Sequence, residues 1–124
     1  MKVRAAIVCA IVLGAAPLGA QAHHSYAMFD RSKTLTLNGV VKQYQWTNPH
    51  SWIQLVVKDA SGKEIEWSIE GGSPNGLSRS GWKRTSLKPG DKATAVIHPL
   101  KDGTNGGSLV TVSVGGVQIG GARS

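Results

Sequence analysis

The chain has 124 residues, with 14 Lys and Arg against seven Asp and Glu, a formal charge of +7 and one cysteine, Cys9. That length holds one small domain and is too short for two. A single thiol excludes a disulfide framework and a cysteine-rich metal cluster, so stability rests on packing and any metal must be held by nitrogen and oxygen.

Residues 1–22 open with Lys2 and Arg4, run through an apolar stretch over residues 5–16, and end in Ala20-Gln21-Ala22. A short basic start, an apolar run and small residues at the two positions a signal peptidase reads form the pattern of a cleaved secretory signal rather than a membrane span. Cleavage after Ala22 leaves 102 residues and removes two basic residues and no acidic one, so the mature charge is +5. The expected location is periplasmic or secreted, with no membrane-spanning segment after cleavage, and Cys9 leaves with the signal. The remaining charges are scattered, Lys83-Arg84 being the only adjacent basic pair. Nucleic-acid binders concentrate charge on one face, so no nucleic-acid partner is expected, and the surplus reads as solubility and weak attraction to anionic envelope surfaces.

Residues 23–33 form a polar N-terminal arm. From residue 34 onward apolar and polar residues alternate in short runs separated by turn residues, the pattern of β-strands. A first strand is expected over 34–46, with Gly39 marking a bulge or sharp bend. Thr47-Asn48-Pro49 is a turn. A second strand over 51–58 puts Ile53, Leu55 and Val57 on one face and Trp52, Gln54, Val56 and Lys58 on the other. Asp59-Ala60-Ser61-Gly62 closes a hairpin to a third strand, 64–70, with Ile65, Trp67 and Ile69 inward. Ser73 as N-cap and Pro74 at the first position start a short helix reaching about residue 80, with Gly81 as its stop and Trp82 folding back on Leu77. Leu87-Lys88-Pro89-Gly90-Asp91 turns into a fourth strand, 92–98, with Ala93, Ala95 and Ile97 on one face. A glycine-rich loop over 99–108 leads to a fifth strand, 109–114, and residues 115–124 read as a flexible tail.

Three strands, a helix and two strands is the order of an OB-fold, a five-stranded Greek-key barrel. The expected fold is therefore all-β with one short helix, an OB-like barrel over residues 34–114. A small β-sandwich accounts for the alternation nearly as well.

Particular stretches also resemble one known group. His23-His24-Ser25-Tyr26-Ala27-Met28-Phe29-Asp30, Trp46-Thr47-Asn48-Pro49-His50-Ser51, Ser73-Pro74-Asn75-Gly76-Leu77, Leu87-Lys88-Pro89-Gly90-Asp91 and His98-Pro99-Leu100-Lys101-Asp102-Gly103 are similar to an uncharacterised family, a domain of unknown function, of small exported bacterial proteins. The resemblance implies a secreted or periplasmic β-rich module and carries no catalytic residue with it.

Chemistry concentrates in four histidines, all beyond the signal. A chain starting at His23 has an α-amino group and two adjacent imidazoles, His23 and His24, within a few residues. His50 follows the first strand and His98 ends the fourth, in the two connections that flank the ligand face of an OB-fold. Four imidazoles suit copper, which heads the divalent affinity order at nitrogen sites; zinc is the rival, and no metal at all is the third outcome. Each loop histidine also adjoins or nears a proline turn, where an imidazole often just bonds the loop backbone. Trp46 and Trp52 flank Asn48-Pro49-His50 and either clamp that turn or, with Asn48, present an aromatic face to a partner. Glu64, Glu66 and Glu70 read as a solvated face meeting Lys42 or Lys58 across the sheet.

Three functions follow in order: an exported metal-binding module using His23, His24, His50 and His98; a metal-free module holding an envelope protein or small ligand on the Trp52 face; and a copper oxidase built on an N-terminal histidine brace. No serine nucleophile motif, phosphate loop or cysteine chemistry is present, so an enzyme ranks last.

Overall fold

The structure is a computed structural model that describes residues 26–120. Its strands are β1 (Leu35–Gln45), β2 (Trp52–Lys58), β3 (Glu64–Glu70), β4 (Lys92–Pro99), β5 (Gly106–Val114) and β6 (Val117–Ile119), with helix α1 (Pro74–Arg79) between β3 and β4 and a short 3-10 turn at Tyr26–Met28. The sheet order is β3-β2-β1-β4-β5-β6, and an additional β3–β5 pairing closes the first five strands into a barrel. This is the expected OB-like barrel, with one strand more than expected.

The alternation dictates the core. Val41, Ile53, Leu55, Ile69, Ile97 and Val112 are fully buried, and Ala93 and Ala95 complete the β4 inner face. Small residues on β4 let the opposing leucines and isoleucines interdigitate across a narrow barrel. Trp82 is buried, and half-buried Trp67 and Leu77 pack against the same cluster. Helix α1 starts as its residues require: the Ser73 hydroxyl accepts from the Gly76 N–H at 3.2 Å, and Pro74 takes the first position. Past the helix, the Trp82 N–H returns to the Leu77 carbonyl at 3.0 Å, which sets the indole under the barrel.

β1 carries the bend. It pairs with β4 over residues 35–40 and with β2 over 39–45, so Gly39 and Val40 belong to both ladders. A Cβ at Gly39 would collide with the Val56 carbonyl oxygen, which is why the corner takes glycine. The register shift itself falls later, between Val41 and Gln43.

Two expectations are corrected. The fifth strand begins at Gly106, not at residue 109, because Gly106 and Gly107 pair in parallel with Ser68 and Ile69. A Cβ on Gly107 would strike the His98 carbonyl oxygen; glycines that read as loop are here the condition for close strand approach. The tail does not run free from residue 115, since it turns at Gly115-Gly116 and Val117–Ile119 pairs with Val112–Val114. Residues 121–124 lie outside the described residues, as do 1–25.

Among the described residues, one buried side-chain polar atom goes without a partner. The Tyr44 hydroxyl is buried without a hydrogen bond, its ring set edge-on to Trp46 at 5.9 Å and tilted to Trp82 at 6.2 Å. Burial pushes this phenol up to about 12.

Two outcomes follow. Replacing Gly39 with Ala is expected to destabilise the barrel by about 1–3 kcal/mol, because the obstacle is backbone and cannot rotate away; urea unfolding measures it. Tyr44→Phe removes the orphaned hydroxyl and is expected to stabilise by about 1 kcal/mol at neutral pH. An unfolded tyrosine ionises near about 10, so between pH 10 and 12 the unfolded wild-type chain releases a proton that the folded one keeps, and stability falls as pH rises. Thermal melts at pH 8 and 11.5 should therefore show a larger alkaline loss in wild type than in Tyr44→Phe.

Candidate functional site

The barrel closure builds a row of outward-facing side chains. Trp52 on β2 is the register partner of Glu70 on β3, Glu70 of Ser108 on β5, and Ser108 of His98 on β4. Their neighbours Ile53, Ile69, Gly107 and Ile97 are the buried ones, so strand alternation places this row on the outer surface.

His50, just before β2, reaches into the row. Its Nε2 lies 3.3 Å from Glu70 Oε1, and its Nδ1 lies 3.3 Å from the Gly71 carbonyl oxygen. The pair is sheltered, with side-chain exposures of 29% for His50 and 12% for Glu70. A carbonyl and a carboxylate both only accept, so a neutral ring donates to one of them and leaves its other nitrogen for a ligand, while a protonated ring serves both. A proton or a metal cation on Nε2 neutralises the contact with Glu70.

His98 is also held by a backbone carbonyl. Its Nδ1 donates to the Lys33 carbonyl at 2.8 Å, which directs the proton to Nδ1 and leaves Nε2 as the nitrogen for a ligand. The bond ties β4 to the N-terminal arm. The arm is further fixed by Phe29 bridging Leu100, by the Asp30 N–H donating to the Pro99 carbonyl at 2.8 Å, and by the Lys101 N–H donating to the Met28 carbonyl at 2.9 Å. The Ser32 hydroxyl, and then Lys33, hold the Asp30 carboxyl below its ordinary value and stiffen the turn.

His50 and His98, 48 residues apart in sequence, thus line one cleft of about 480 Å³, with Glu70 between them and Phe29 and Arg31 forming the arm-side wall. Among the described residues, no group of three or more His, Cys, Asp or Glu is gathered closely enough to hold a metal ion. The two histidines share a cleft but do not by themselves make a coordination sphere. His23 and His24 lie outside the described residues.

The aromatic set falls elsewhere. Trp46 packs on Tyr44 and against the core, Trp52 is half-buried on the outer face, and Asn48 is exposed in the turn beside a cis Asn48–Pro49 peptide. None of the three lines the histidine cleft. Of the glutamates on β3, Glu66 meets Lys42 at 2.7 Å in the cross-sheet pairing expected for that face. Glu70 behaves differently, because the chain beyond it is drawn toward β2 by the Gly71 N–H donating to the Ser51 carbonyl and the Ser51 N–H donating to the Gly72 carbonyl. Glu70, Arg31 and Phe29 are the site residues that sequence reasoning missed, and only the parallel β3–β5 pairing and the docked arm reveal them.

No helix among the described residues is long and apolar enough to cross a membrane. No curated protein matches the chain. Among solved structures it is similar to the crystal structure of Rim1, a mitochondrial single-stranded DNA binding protein from S. cerevisiae, with a TM-score of 0.50 at 5% identity over 66% of this chain and 92% of that one. At that identity the likeness is one of fold. A family described as a family of unknown function, DUF6152, matches residues 10–109, and the chain belongs to that family.

Proposed function

We propose that this protein is an exported binding module that holds one transition-metal ion, copper above others, at the His50–His98 cleft, with the N-terminal pair His23 and His24 supplying the remaining nitrogen donors. The observation that carries this reading is the meeting of two sequence-distant histidines, His50 from the β1–β2 turn and His98 from β4, at a cleft walled by the N-terminal arm itself. Both rings set Nδ1 against a backbone carbonyl, the outer-shell arrangement that orients metal-ligating imidazoles.

Chain length supplies the rest. His24 precedes Phe29, a wall residue of the cleft, by five positions, and five extended residues reach about 17 Å. His23 and His24 are therefore tethered within range of His50 and His98. Two to four imidazoles with an amine suit divalent copper, which binds nitrogen sites more tightly than zinc. Glu70, beside His50, offsets the added positive charge.

The test starts from protein purified after export by its own signal. Intact mass is expected to begin at His23, and native mass spectrometry with copper(II) to find one tightly held ion. His50→Ala with His98→Ala, and separately His23→Ala with His24→Ala, are each expected to weaken copper binding by more than about tenfold. Equal affinity in wild type and the His50/His98 double variant overturns the cleft as the site. Equal affinity after one extra residue is placed ahead of His23 removes the terminal amine from the ligand set.

A further inference from the structure

A larger, open groove of about 730 Å³ lies on the outer face of the barrel at the β1 bend, lined by residues of β1, β2, the start of β3 and the start of β4. That volume is in the range of small-molecule sites. It shares no lining residue with the histidine cleft.

Register gives its layout. Val40 on β1 is the partner of Lys92 on β4 and of Val56 on β2, so the three form one outward row, Lys92–Val40–Val56, at strand spacings of about 4.8 Å. Val40 is 41% exposed at the centre of this sheet face. One strand end away, Lys58 is the partner of Glu64. Lys42 is committed to Glu66 at 2.7 Å. Among the described residues, Lys58 and Lys92 have no carboxylate within ion-pair distance, and the only carboxylate lining the cleft is Glu64.

An apolar floor flanked by two uncommitted ammonium groups, on a chain that keeps a formal charge of +5 after the expected cleavage, has the complement of a single-chain amphiphile with an anionic head. From this charge complementarity we infer that the β1-bend cleft binds a monomeric anionic amphiphile, its alkyl chain on Val40 and Val56 and its head at the rim of that row, in the joint field of the flanking Lys58 and Lys92. Burying the tail supplies the gain in free energy, and the lysines select a negative head over a neutral or positive one. The inference is independent of the metal reading, since it uses none of the histidines.

The probe is dodecanoate below its critical micelle concentration, titrated calorimetrically into the exported protein. Wild type is expected to bind one equivalent saturably, and hexanoate to bind at least about tenfold more weakly because less apolar surface is buried. Lys58→Gln with Lys92→Gln, both outward-facing and setting no like charge opposite Glu64, is expected to weaken dodecanoate by about tenfold or more with an unchanged melting temperature. Lys101→Glu, beyond the far end of β4, and His50→Ala with His98→Ala should leave it unchanged. Absence of saturable binding overturns the inference, and so does equal affinity in the Lys58/Lys92 variant, or an equal loss in Lys101→Glu. Binding to anionic vesicles without binding of the monomer overturns it too, by assigning the lysines to a membrane surface.

Discussion

The parallel pairing of β3 with β5 is the constraint on which the other features depend. Ser68, Ile69 and Glu70 meet Gly106, Gly107 and Ser108, and this short ladder turns an open sheet into a barrel. Closure gives Ile69 and Ile97 a complete apolar surround, so their burial stabilises the fold rather than leaving a half-wet sheet. It also requires residues on β5 that take almost no space, because the His98 carbonyl and the Ser68 carbonyl stand where side chains would otherwise begin. Gly106 and Gly107 are thus structural members of the barrel.

The same ladder generates the polar cleft. By setting Glu70 beside Ser108 and Ser108 beside His98, it brings a carboxylate and an imidazole from distant segments onto one outer row. The second imidazole arrives from the β1–β2 turn, and the arm completes the wall through backbone bonds to residues 99–101. Each ring is held by a backbone carbonyl, and His50 by the Glu70 carboxylate as well. A rigid acceptor fixes ring orientation at little entropic cost, which is what preorganises a ligand nitrogen. The His50–Glu70 contact then makes the cleft receptive to a cation.

The two clefts divide the barrel surface by chemistry. One is built at strand ends and loops from histidine, glutamate and arginine; the other sits on the continuous face at the β1 bend, with valine and lysine. The bend at Gly39 serves the second in the way the β3–β5 closure serves the first: β1 must pass between two ladders, and the saddle it makes leaves Val40 uncovered. Core packing and surface concavity therefore have a common origin in strand coiling.

Much of the barrel was legible in the residues. Period-two alternation in 51–58 and 64–70 defines which side chains face inward, and Ser73-Pro74 with Trp82 defines the helix and its return, because these signals are local and each is set by sterics over a few residues. The beginning of β5 and the added β6 were not legible, since glycine reports conformational freedom without saying whether a loop or a close strand contact uses it. For the site, the histidines stand out by type, and their two connections by strand order. Which of them share a cleft, and that Glu70 joins His50 rather than a lysine across the sheet, is decided by pairings between segments far apart in the chain. Such pairings depend on the summed packing of the whole barrel, and no local pattern encodes them.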